Sequence, residues 1–310
     1  MHKAVLQWFQ ANARDLPWRG DCSAWGVLVS EIMLQQTPVV RVQPVWEEWL
    51  RRWPTPAALA AEPAGEVVRA WGRLGYPRRA LRLHAAAGVM VEKHDGAVPD
   101  TFDELLALPG IGTYTAAAVA AFAFGRRETV VDTNIRRVHA RLVLGQALPA
   151  PALTAAEMAL AAELLPADPE ESVLWNAGVM ELGALVCTAR SPKCDLCPVR
   201  STCAWIAAGQ PEPTYIPKGQ PWAGTDRQVR GAVMAVLRAA EAPVHAELLW
   251  GPAAELDDAA AQTPHPGAVA EQLRKLHALN THAPQLERAI AGLVTDGLAQ
   301  QSPDGYHLPH

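Results

Sequence analysis

Cysteine is scarce in this chain of 310 residues, which contains only five. Four of them lie in the stretch "CTARSPKCDLCPVRSTC", and the only other one is Cys22. The sequence also lacks the charged-then-apolar start of a secretory signal and any apolar run near the roughly eighteen residues of a membrane span. We therefore expect a cytoplasmic protein without membrane spans, in which clustered cysteines bind metal rather than form disulfides.

An excess of positive charge is also missing, because the formal net charge is −5. Residues 1–224 hold 21 Lys and Arg against 22 Asp and Glu, and residues 225–310 hold 6 against 10. This balance does not indicate a nucleic-acid-binding protein. One segment, "RAWGRLGYPRRALR" from Arg69 to Arg82, carries five arginines and no acidic residue. It is either a solvated helical face or a local phosphate-binding patch.

Alternating strand patterns are absent before residue 210, and helical periodicity predicts an all-α fold there. The predicted helices are His2–Asn12, Ser23–Gln35, one beginning at Pro38, Arg78–Glu92, Thr113–Phe124, Thr133–Leu144, Thr154–Leu164 and Glu170–Leu185. Residues 209–224 are rich in Pro and Gly and predict a linker. Two more helices, Arg227–Ala240 and Pro284–Gly297, then precede a strand–turn–strand pattern. Residues 225–310 therefore resemble a winged-helix module, although the segment 242–280 is hard to place.

The cysteine-rich stretch has the composition of a metal site. Its four cysteines are Cys187, Cys194, Cys197 and Cys203. Four thiolates in one loop suit either a tetrahedral Zn²⁺ ion or an iron–sulfur cluster, and the spacing alone does not decide between them. Arg190, Lys193 and Arg200 belong to the same loop and could contact phosphates.

The stretch "LPGIGTYT" predicts a tight turn that leads into a helix near Thr113. Gly110 and Gly112 would leave backbone N–H groups open to an anion at this helix start. The alternative is an ordinary corner between two helices.

Two acidic residues are candidates for chemistry. Glu31 is followed by three apolar residues in a predicted helix, so its pKa should be raised and it could act as a general acid. The alternative is a glutamate on the solvent side of the helix. Asp132 follows two valines and could cap the helix that begins at Thr133. Arg136, Arg137 and Arg141 follow it, and a phosphate-rich ligand would explain them.

Seven motifs, taken in order, resemble the MutY-type adenine DNA glycosylases of the helix-hairpin-helix superfamily. They are "LPWR" (16–19), "SEIMLQQT" (30–37), "WGRLGYPRRA" (71–80), "LPGIGTYTA" (108–116), "VDTNIRRV" (131–138), "MELGALVC" (180–187) and the cysteine loop. The resemblance spans about residues 4–220. It implies a glycosylase region at 1–208 made of two all-α lobes with a DNA-facing cleft. One lobe would be a six-helix lobe at about 20–132, and the other the N-terminal helix with residues 133–186.

The resemblance also implies roles for single residues. The four cysteines of loop 187–203 would hold a [4Fe–4S] cluster that fixes a basic loop against DNA, and Gly110 and Gly112 would grip a phosphate. Glu31 would protonate adenine at N7, and Asp132 would stabilise the sugar cation. The remaining implied site residues are Tyr114 and Asn134 (positioning the acids), Trp18, Arg19 and Leu34 (adenine pocket), Gln36 and Tyr76 (wedge in the duplex), and Thr37 and Leu74 (opposite base, with Gln36).

The implied function is the removal of adenine from A:8-oxoguanine and A:G mispairs in double-stranded DNA, by a monomer. Tyr114 stands where the related endonuclease III family has a lysine that forms a Schiff base, which predicts a monofunctional glycosylase. The alternatives are excision of thymine or a damaged pyrimidine, and a non-catalytic iron–sulfur DNA-binding protein. Residues 225–310 do not resemble the nucleotide-hydrolase-like domain of many members, so the means of opposite-base recognition stays open.

Overall fold

The computed structural model describes residues 1–216, 219, 221–250 and 266–310. Within these residues the chain forms sixteen α-helices, two short 3₁₀ helices and one hairpin. The helices are α1 His2–Asn12, α2 Ala24–Leu34, α3 Val39–Arg52, α4 Pro56–Ala60, α5 Ala64–Trp71, α6 Arg78–Lys93, α7 Phe102–Ala107, α8 Thr113–Phe124, α9 Thr133–Leu142, α10 Ala155–Leu164, α11 Pro169–Leu185, α12 Ala204–Ala207, α13 Asp226–Ala239, α14 Ala246–Trp250, α15 Pro266–His277 and α16 Ala283–Thr295. The mostly helical fold predicted from the sequence is confirmed.

The helices expected from periodicity are present, with ends that differ by no more than two residues. Six helices were not expected. Four of them, α4, α5, α7 and α12, have only four to eight residues, which is too few for a 3.6-residue period to show. The other two, α14 and α15, lie in the segment 242–280. Part of the segment 242–280 that was hard to place lies outside the described residues.

The chain divides into two compact units, one made of Met1–Ile32 and Val98–Lys218, the other of Met33–Ala97 and Gly219–His310. These units group the residues differently from the predicted lobes, since the second joins α3–α6 with the C-terminal helices. The predicted lobe and linker boundaries stay a prediction. None of the described helices combines the length and the apolar character needed to cross a membrane.

The core of the first unit is formed mainly by α1, α8, α9 and α11. Ile135, Val138, Trp175, Val179 and Leu182 are at most 2% exposed there. Side-chain caps fix where three of the helices begin: Asp132 accepts from the Ile135 N–H, Asp168 from the Glu171 N–H and Thr154 from the Glu157 N–H. Burial of the apolar faces and these caps together position α9 and α11 side by side.

In the second unit, α3, α4, α5 and α6 pack around Trp49 and Trp71, both fully buried. The C-terminal residues add α13, α15, α16 and the antiparallel hairpin β1 (Gln300–Ser302) and β2 (Gly305–His307). Tyr306 of β2 also bridges to Val244, which precedes α14. Helices followed by a hairpin with a two-residue turn are the order that the sequence predicted, whereas the winged-helix character of residues 225–310 stays a prediction.

Candidate active site

Glu31 lies near the end of α2, whose first turn is fixed by the Ser23 hydroxyl accepting from the Gly26 N–H at 3.1 Å. The side chain is buried, with 7% of the residue exposed. Its Oε2 accepts a hydrogen bond of 2.8 Å from the hydroxyl of Tyr114, in the first turn of α8. The glutamate is thus turned into the protein, and the solvent-facing alternative does not apply.

Burial raises the pKa of Glu31 to about 7. The hydrogen bond from Tyr114 favours the charged form and opposes this shift, the negative charge of Asp132 adds to it, and the positive charge of Arg19 opposes it. Near neutral pH a large share of this carboxyl group is therefore protonated. A carboxyl group in that state can donate a proton to a base at physiological pH.

Asp132 caps α9 through its Oδ1, which accepts from the Ile135 N–H at 2.7 Å. The other oxygen, Oδ2, accepts from the Asn134 side-chain amide at 2.8 Å. Burial raises the pKa of Asp132 and the two hydrogen bonds oppose the shift. Since both oxygens accept hydrogen bonds and the helix start is electropositive, the arrangement suits a carboxylate held in one orientation. Asp132 therefore caps α9 and also places its negative charge near Glu31.

Glu31 and Asp132 lie in different environments. Glu31 is almost fully buried with a single hydroxyl donor, whereas Asp132 is partly exposed and has two N–H donors. Such environments suit one protonated and one ionised carboxyl group, which is the arrangement that divides acid and electrostatic roles in glycoside cleavage. Burial, followed by the charge of Glu31, raises the pKa of Tyr114 well above its ordinary value, so its hydroxyl keeps its proton.

A residue that the sequence did not single out completes this cluster. Glu181 of α11 is fully buried and pairs with Arg14 through two hydrogen bonds of 2.7 Å. Its Oε2 also accepts from Arg19 at 3.0 Å. These bonds lower the pKa of Glu181 to about 2 against the opposing effect of burial. Glu181 thereby holds Arg19, whose charge acts on Glu31. A charged residue inside the apolar helix pattern of "MELGALVC" was the available signal.

The arginines that follow Asp132 are held by protein groups, which corrects the expectation that a phosphate-rich ligand explains them. Arg136 pairs with Glu157 at 2.8 Å, and Arg141, 4% exposed, donates to the carbonyl of Thr188 at 2.7 Å. Arg137 donates to Asn134 Oδ1 and to the carbonyls of Gly183 and Cys187, all at 2.7 Å. These side chains therefore join α9 to α11 and to the cysteine loop.

The expected wedge residues occupy unusual backbone conformations. Gln36 and Tyr76 are exposed and have φ angles of 55° and 47°. A left-handed conformation costs a non-glycine residue roughly 1–2 kcal/mol, so surrounding contacts must impose it. Arg79 supplies one such contact, because it lies over the Tyr76 ring and donates to the carbonyl of Gln35.

The other expected binding residues lie in several places. Thr37 and Leu74 are buried, and the Thr37 hydroxyl donates to the Leu74 carbonyl at 3.3 Å. Trp18 is buried and Leu34 is the last residue of α2. Gly110 has a φ of 77°, as a tight turn requires, and Gly112 precedes α8 in extended conformation. Roles in adenine, opposite-base or phosphate binding stay predictions for all of them.

The four cysteines of the loop face a shared environment. Burial raises the pKa of Cys197 to about 11, with the charges of Cys187 and Cys203 adding to the shift. Three of them, Cys187, Cys197 and Cys203, pack on the core of the first unit. In the described part of the chain, no three or more His, Cys, Asp or Glu side chains are arranged to hold a metal ion. Four clustered thiols are the donor set of either a zinc site or an iron–sulfur cluster.

Comparison with known proteins identifies the family. Residues 29–163 match the model of the HhH-GPD superfamily base excision DNA repair protein. The adenine DNA glycosylase of Mycolicibacterium smegmatis is 48% identical over 305 residues, which cover 97% of this chain and 93% of that protein. The human adenine DNA glycosylase is 41% identical over 210 residues, 64% of this chain and 38% of that protein. The chain belongs to the adenine DNA glycosylase family.

A solved structure described as a thermostable thymine-DNA glycosylase also matches, with a TM-score of 0.60 and 28% identity over 67% of this chain and 95% of that one. As a member of the adenine DNA glycosylase family, the chain is a base excision repair enzyme that hydrolyses N-glycosidic bonds.

Residues 187–203 match the iron-sulfur binding domain of endonuclease III, so the cysteine loop of this adenine DNA glycosylase family member is an iron–sulfur site. The match agrees with the four-thiol donor set and decides the question that the cysteine spacing left open. Arg141 donates to Cys187 Sγ at 3.4 Å and would hold that thiolate when the cluster is bound.

Proposed function

We propose that this chain is a monofunctional glycosylase that removes adenine from A:8-oxoguanine and A:G mispairs in double-stranded DNA. The observation that carries the proposal is the buried Glu31 carboxyl group, with a pKa of about 7, beside the oriented carboxylate of Asp132. The names of the relatives agree with adenine as the substrate. A monomeric enzyme is part of the proposal, and sedimentation of the purified chain tests it.

The first step uses the proton of Glu31. Its protonated carboxyl group donates to N7 of an adenine that has left the base stack. The C1′–N9 bond then breaks, and its electron pair remains on the neutral adenine. Thymine has no N7, so a proton donor in this position favours a purine. This argument supports adenine over the thymine that the structural neighbour's description names.

The second step concerns the sugar. Loss of adenine leaves positive charge at C1′, and the nearby Asp132 carboxylate stabilises it. Water adds its oxygen to C1′ and gives up a proton, so the sum of the two steps is hydrolysis. The hydrogen bonds from Asn134 and from the Ile135 N–H keep Asp132 in one orientation. The cap that starts α9 is in this way also the electrostatic support of the reaction.

Strand cleavage is not expected. Tyr114 carries a phenol that donates to Glu31, and a phenol cannot form an imine with the sugar aldehyde. We expect no covalent enzyme–DNA adduct on treatment with borohydride, whereas an enzyme with a lysine nucleophile is trapped. Formation of the adduct in high yield would overturn the monofunctional part of the proposal.

Binding to DNA relies on residues outside the acid pair. Gln36 and Tyr76 would enter the duplex, and Trp18, Arg19 and Leu34 would line the site for the extruded adenine. The strained backbone of Gln36 and Tyr76 supports the wedge role, since such strain is common where a residue is held ready for binding. The four cysteines of loop 187–203 would hold the iron–sulfur cluster and thereby fix Arg190, Lys193 and Arg200, which belong to the same loop.

The deciding experiment measures base release under single-turnover conditions from duplexes that contain A:8-oxoguanine, A:G, T:G or thymine glycol. We expect adenine release alone. Replacement Glu31→Gln removes the proton donor and should lower adenine release by at least about 10³-fold while DNA affinity changes little. The exposed Glu163 of α10 provides the matched control, Glu163→Gln, which should behave as the wild type. Release of thymine, or full activity of Glu31→Gln, would refute the proposal.

A further inference from the structure

The C-terminal residues contact the end of α5. In the last turn of this helix, Arg69 donates to the backbone carbonyls of Arg238 and Ala240, the latter at 3.0 Å. Arg238 of α13 donates in return to the Val68 carbonyl at 3.1 Å. Each arginine thus holds backbone of the other segment. Because α5 ends at Trp71, Val68 and Arg69 lie no more than four residues before the loop that begins at residue 72.

A second contact is made at the start of α6. Arg78, its first residue, pairs with Asp296 at 3.1 Å, and Arg230 pairs with the same carboxylate. Asp296 directly follows α16. Two C-terminal helices, α13 and α16, are therefore fastened to the beginning of α6 through one acidic side chain.

The last residues of the chain pack on α5. A Cβ atom placed on Gly65 would overlap the carbonyl oxygen of Pro309 and lie 3.0 Å from the Leu308 Cβ. Leu308 is 7% exposed. Only glycine at position 65 allows this approach, so the chain end is fitted closely to the helix.

The loop that connects α5 to α6 is called the wedge loop here, and it consists of residues 72–77. Trp71 donates its indole N–H to the Gly75 carbonyl at 2.8 Å, and Thr37 donates to the Leu74 carbonyl. The loop is short and bonded to α5, so a shift of α5 or α6 moves its backbone. Tyr76, in this loop, has a left-handed φ of 47°, a conformation that the surrounding contacts must maintain.

The basic side chains of the C-terminal residues are engaged within the protein. Residues 225–310 hold 6 Lys and Arg against 10 Asp and Glu. Besides the contacts already described, Arg288 pairs with Asp226, Lys275 with Glu271, and Arg227 donates to the Pro221 carbonyl. A net negative segment whose cations are paired is poorly suited to bind DNA phosphates.

We propose that residues 225–310 act as a brace that holds the wedge loop in its DNA-ready shape. In this way they support recognition of the mispair through Leu74 and Tyr76, without DNA contacts of their own. The expected effect on adenine release rests on the proposed glycosylase function. The claim that residues 225–310 hold the wedge loop in place does not depend on that function.

The test uses the full-length protein with two variants that loosen the brace. Gly65→Ala forces the chain end away from α5, and Asp296→Asn removes the charge that pairs with Arg78 and Arg230. The matched control is Gly88→Ala in α6, because a Cβ atom there meets nothing within 4 Å. Hydrogen–deuterium exchange is measured for peptides that cover residues 72–78, and adenine release from A:8-oxoguanine duplexes is measured under single-turnover conditions.

We expect exchange in residues 72–78 to be about tenfold faster in both loosening variants than in the control. Adenine release should fall by about the same factor, with affinity for undamaged duplex unchanged. Faster exchange at residues 305–310 with wild-type exchange at 72–78 would overturn the brace. If Gly65→Ala does not fold, Asp296→Asn decides the result. Absence of adenine release by the wild type would refute the proposed function, while the exchange data would still decide the brace.

Discussion

At the scale of single residues, the proposed acid role of Glu31 makes adenine release depend on the protonation state of this carboxyl group. Burial raises its pKa to about 7, and the Tyr114 hydroxyl opposes the shift because it donates to the charged form. The rate of adenine release should therefore decline as pH rises above about 7. This decline reports the loss of the proton that the leaving base requires.

Replacement Tyr114→Phe tests the assignment. Without the hydroxyl donor the charged form of Glu31 loses a hydrogen bond, so the pKa of Glu31 should rise further. We expect the alkaline limb of the single-turnover rate to move to higher pH. The control is Tyr215→Phe, at a hydroxyl that donates to the Pro149 carbonyl. A limb that stays in place or moves to lower pH would contradict the role of Tyr114.

Glu181 is expected to act on the reaction through Arg19. Glu181→Gln removes the buried carboxylate that pairs with Arg14 and Arg19. Because both arginines are partly exposed to solvent, the loss of stability should be about 1–3 kcal/mol. Arg19 would then be less well held, and its lowering effect on the pKa of Glu31 would weaken. We expect a lower melting temperature together with an alkaline limb shifted to higher pH.

A conservative replacement separates positioning from general stability. Glu181→Asp keeps the charge and should restore much of the alkaline limb even where the shorter side chain still lowers the melting temperature. If Glu181→Gln lowers the melting temperature and leaves the limb where it is, Glu181 is only a structural residue.

At the scale of helices, much of the site was predictable from local patterns. The cap at Asp132, the turn at Gly110 and the apolar surroundings of Glu31 all lie within a few residues along the chain, and the structure has them. The pairing of Arg14 with Glu181 spans 167 residues, and that of Arg69 with Ala240 spans 171. Periodicity and capping rules concern neighbours in sequence, so they carry no information about such pairs.

The same distinction explains the arginines of α9. A run of cations beside an acidic residue has the same sequence whether it faces a phosphate or the carbonyls of another helix. Here Arg137 satisfies the carbonyls of Gly183 and Cys187, at the end of α11. The packing of α9 on α11 shows which groups the arginine side chains bind, and the sequence does not.

The close approach of these two helices gives a prediction. A Cβ atom on Gly183 would lie 2.7 Å from the Cβ of Asn134, so Gly183→Ala must push α9 away from α11. Asn134 orients Asp132, and its displacement should lower adenine release by about tenfold or more. Gly88→Ala serves as the control, since it makes the same chemical change in open space. Wild-type rates in Gly183→Ala would show that the helix spacing does not position Asp132.

At the scale of the whole molecule, the similarity to the M. smegmatis protein covers 97% of this chain, whereas that to the human protein covers 64%. Since the first comparison covers 97% of this chain, it includes most of residues 225–310. In this chain they form one compact unit with α3–α6. In the brace proposal, this unit contributes to base removal by holding the wedge loop, without contacts to DNA of its own.

The free energy of unfolding should depend on pH through two buried groups, Glu31 and His139, whose pKa values are shifted in opposite directions. The folded state raises the pKa of Glu31 from 4.5 to about 7, so this group's contribution is complete below about 4.5 and is lost as pH rises through 7. Burial lowers the pKa of His139 from 6.5 to about 4, so its contribution is complete above 6.5 and is lost as pH falls through 4. Between about 4.5 and 6.5 the two slopes oppose each other.

Removal of the Glu31 carboxyl group should leave the contribution of His139 to the pH dependence of unfolding unopposed. In Glu31→Gln the free energy of unfolding, relative to the wild type at the same pH, should increase as pH rises from 4.5 to 7. The slope should approach about 1.4 kcal/mol per pH unit, which corresponds to one proton. Urea unfolding at pH 4.5, 5.5, 6.5 and 7.5 measures it, with Glu163→Gln as the exposed control. Parallel curves for Glu31→Gln and the wild type would mean that Glu31 titrates in the folded protein as it does in the unfolded chain, and the acid role assigned to it near neutral pH would then lose its physical basis.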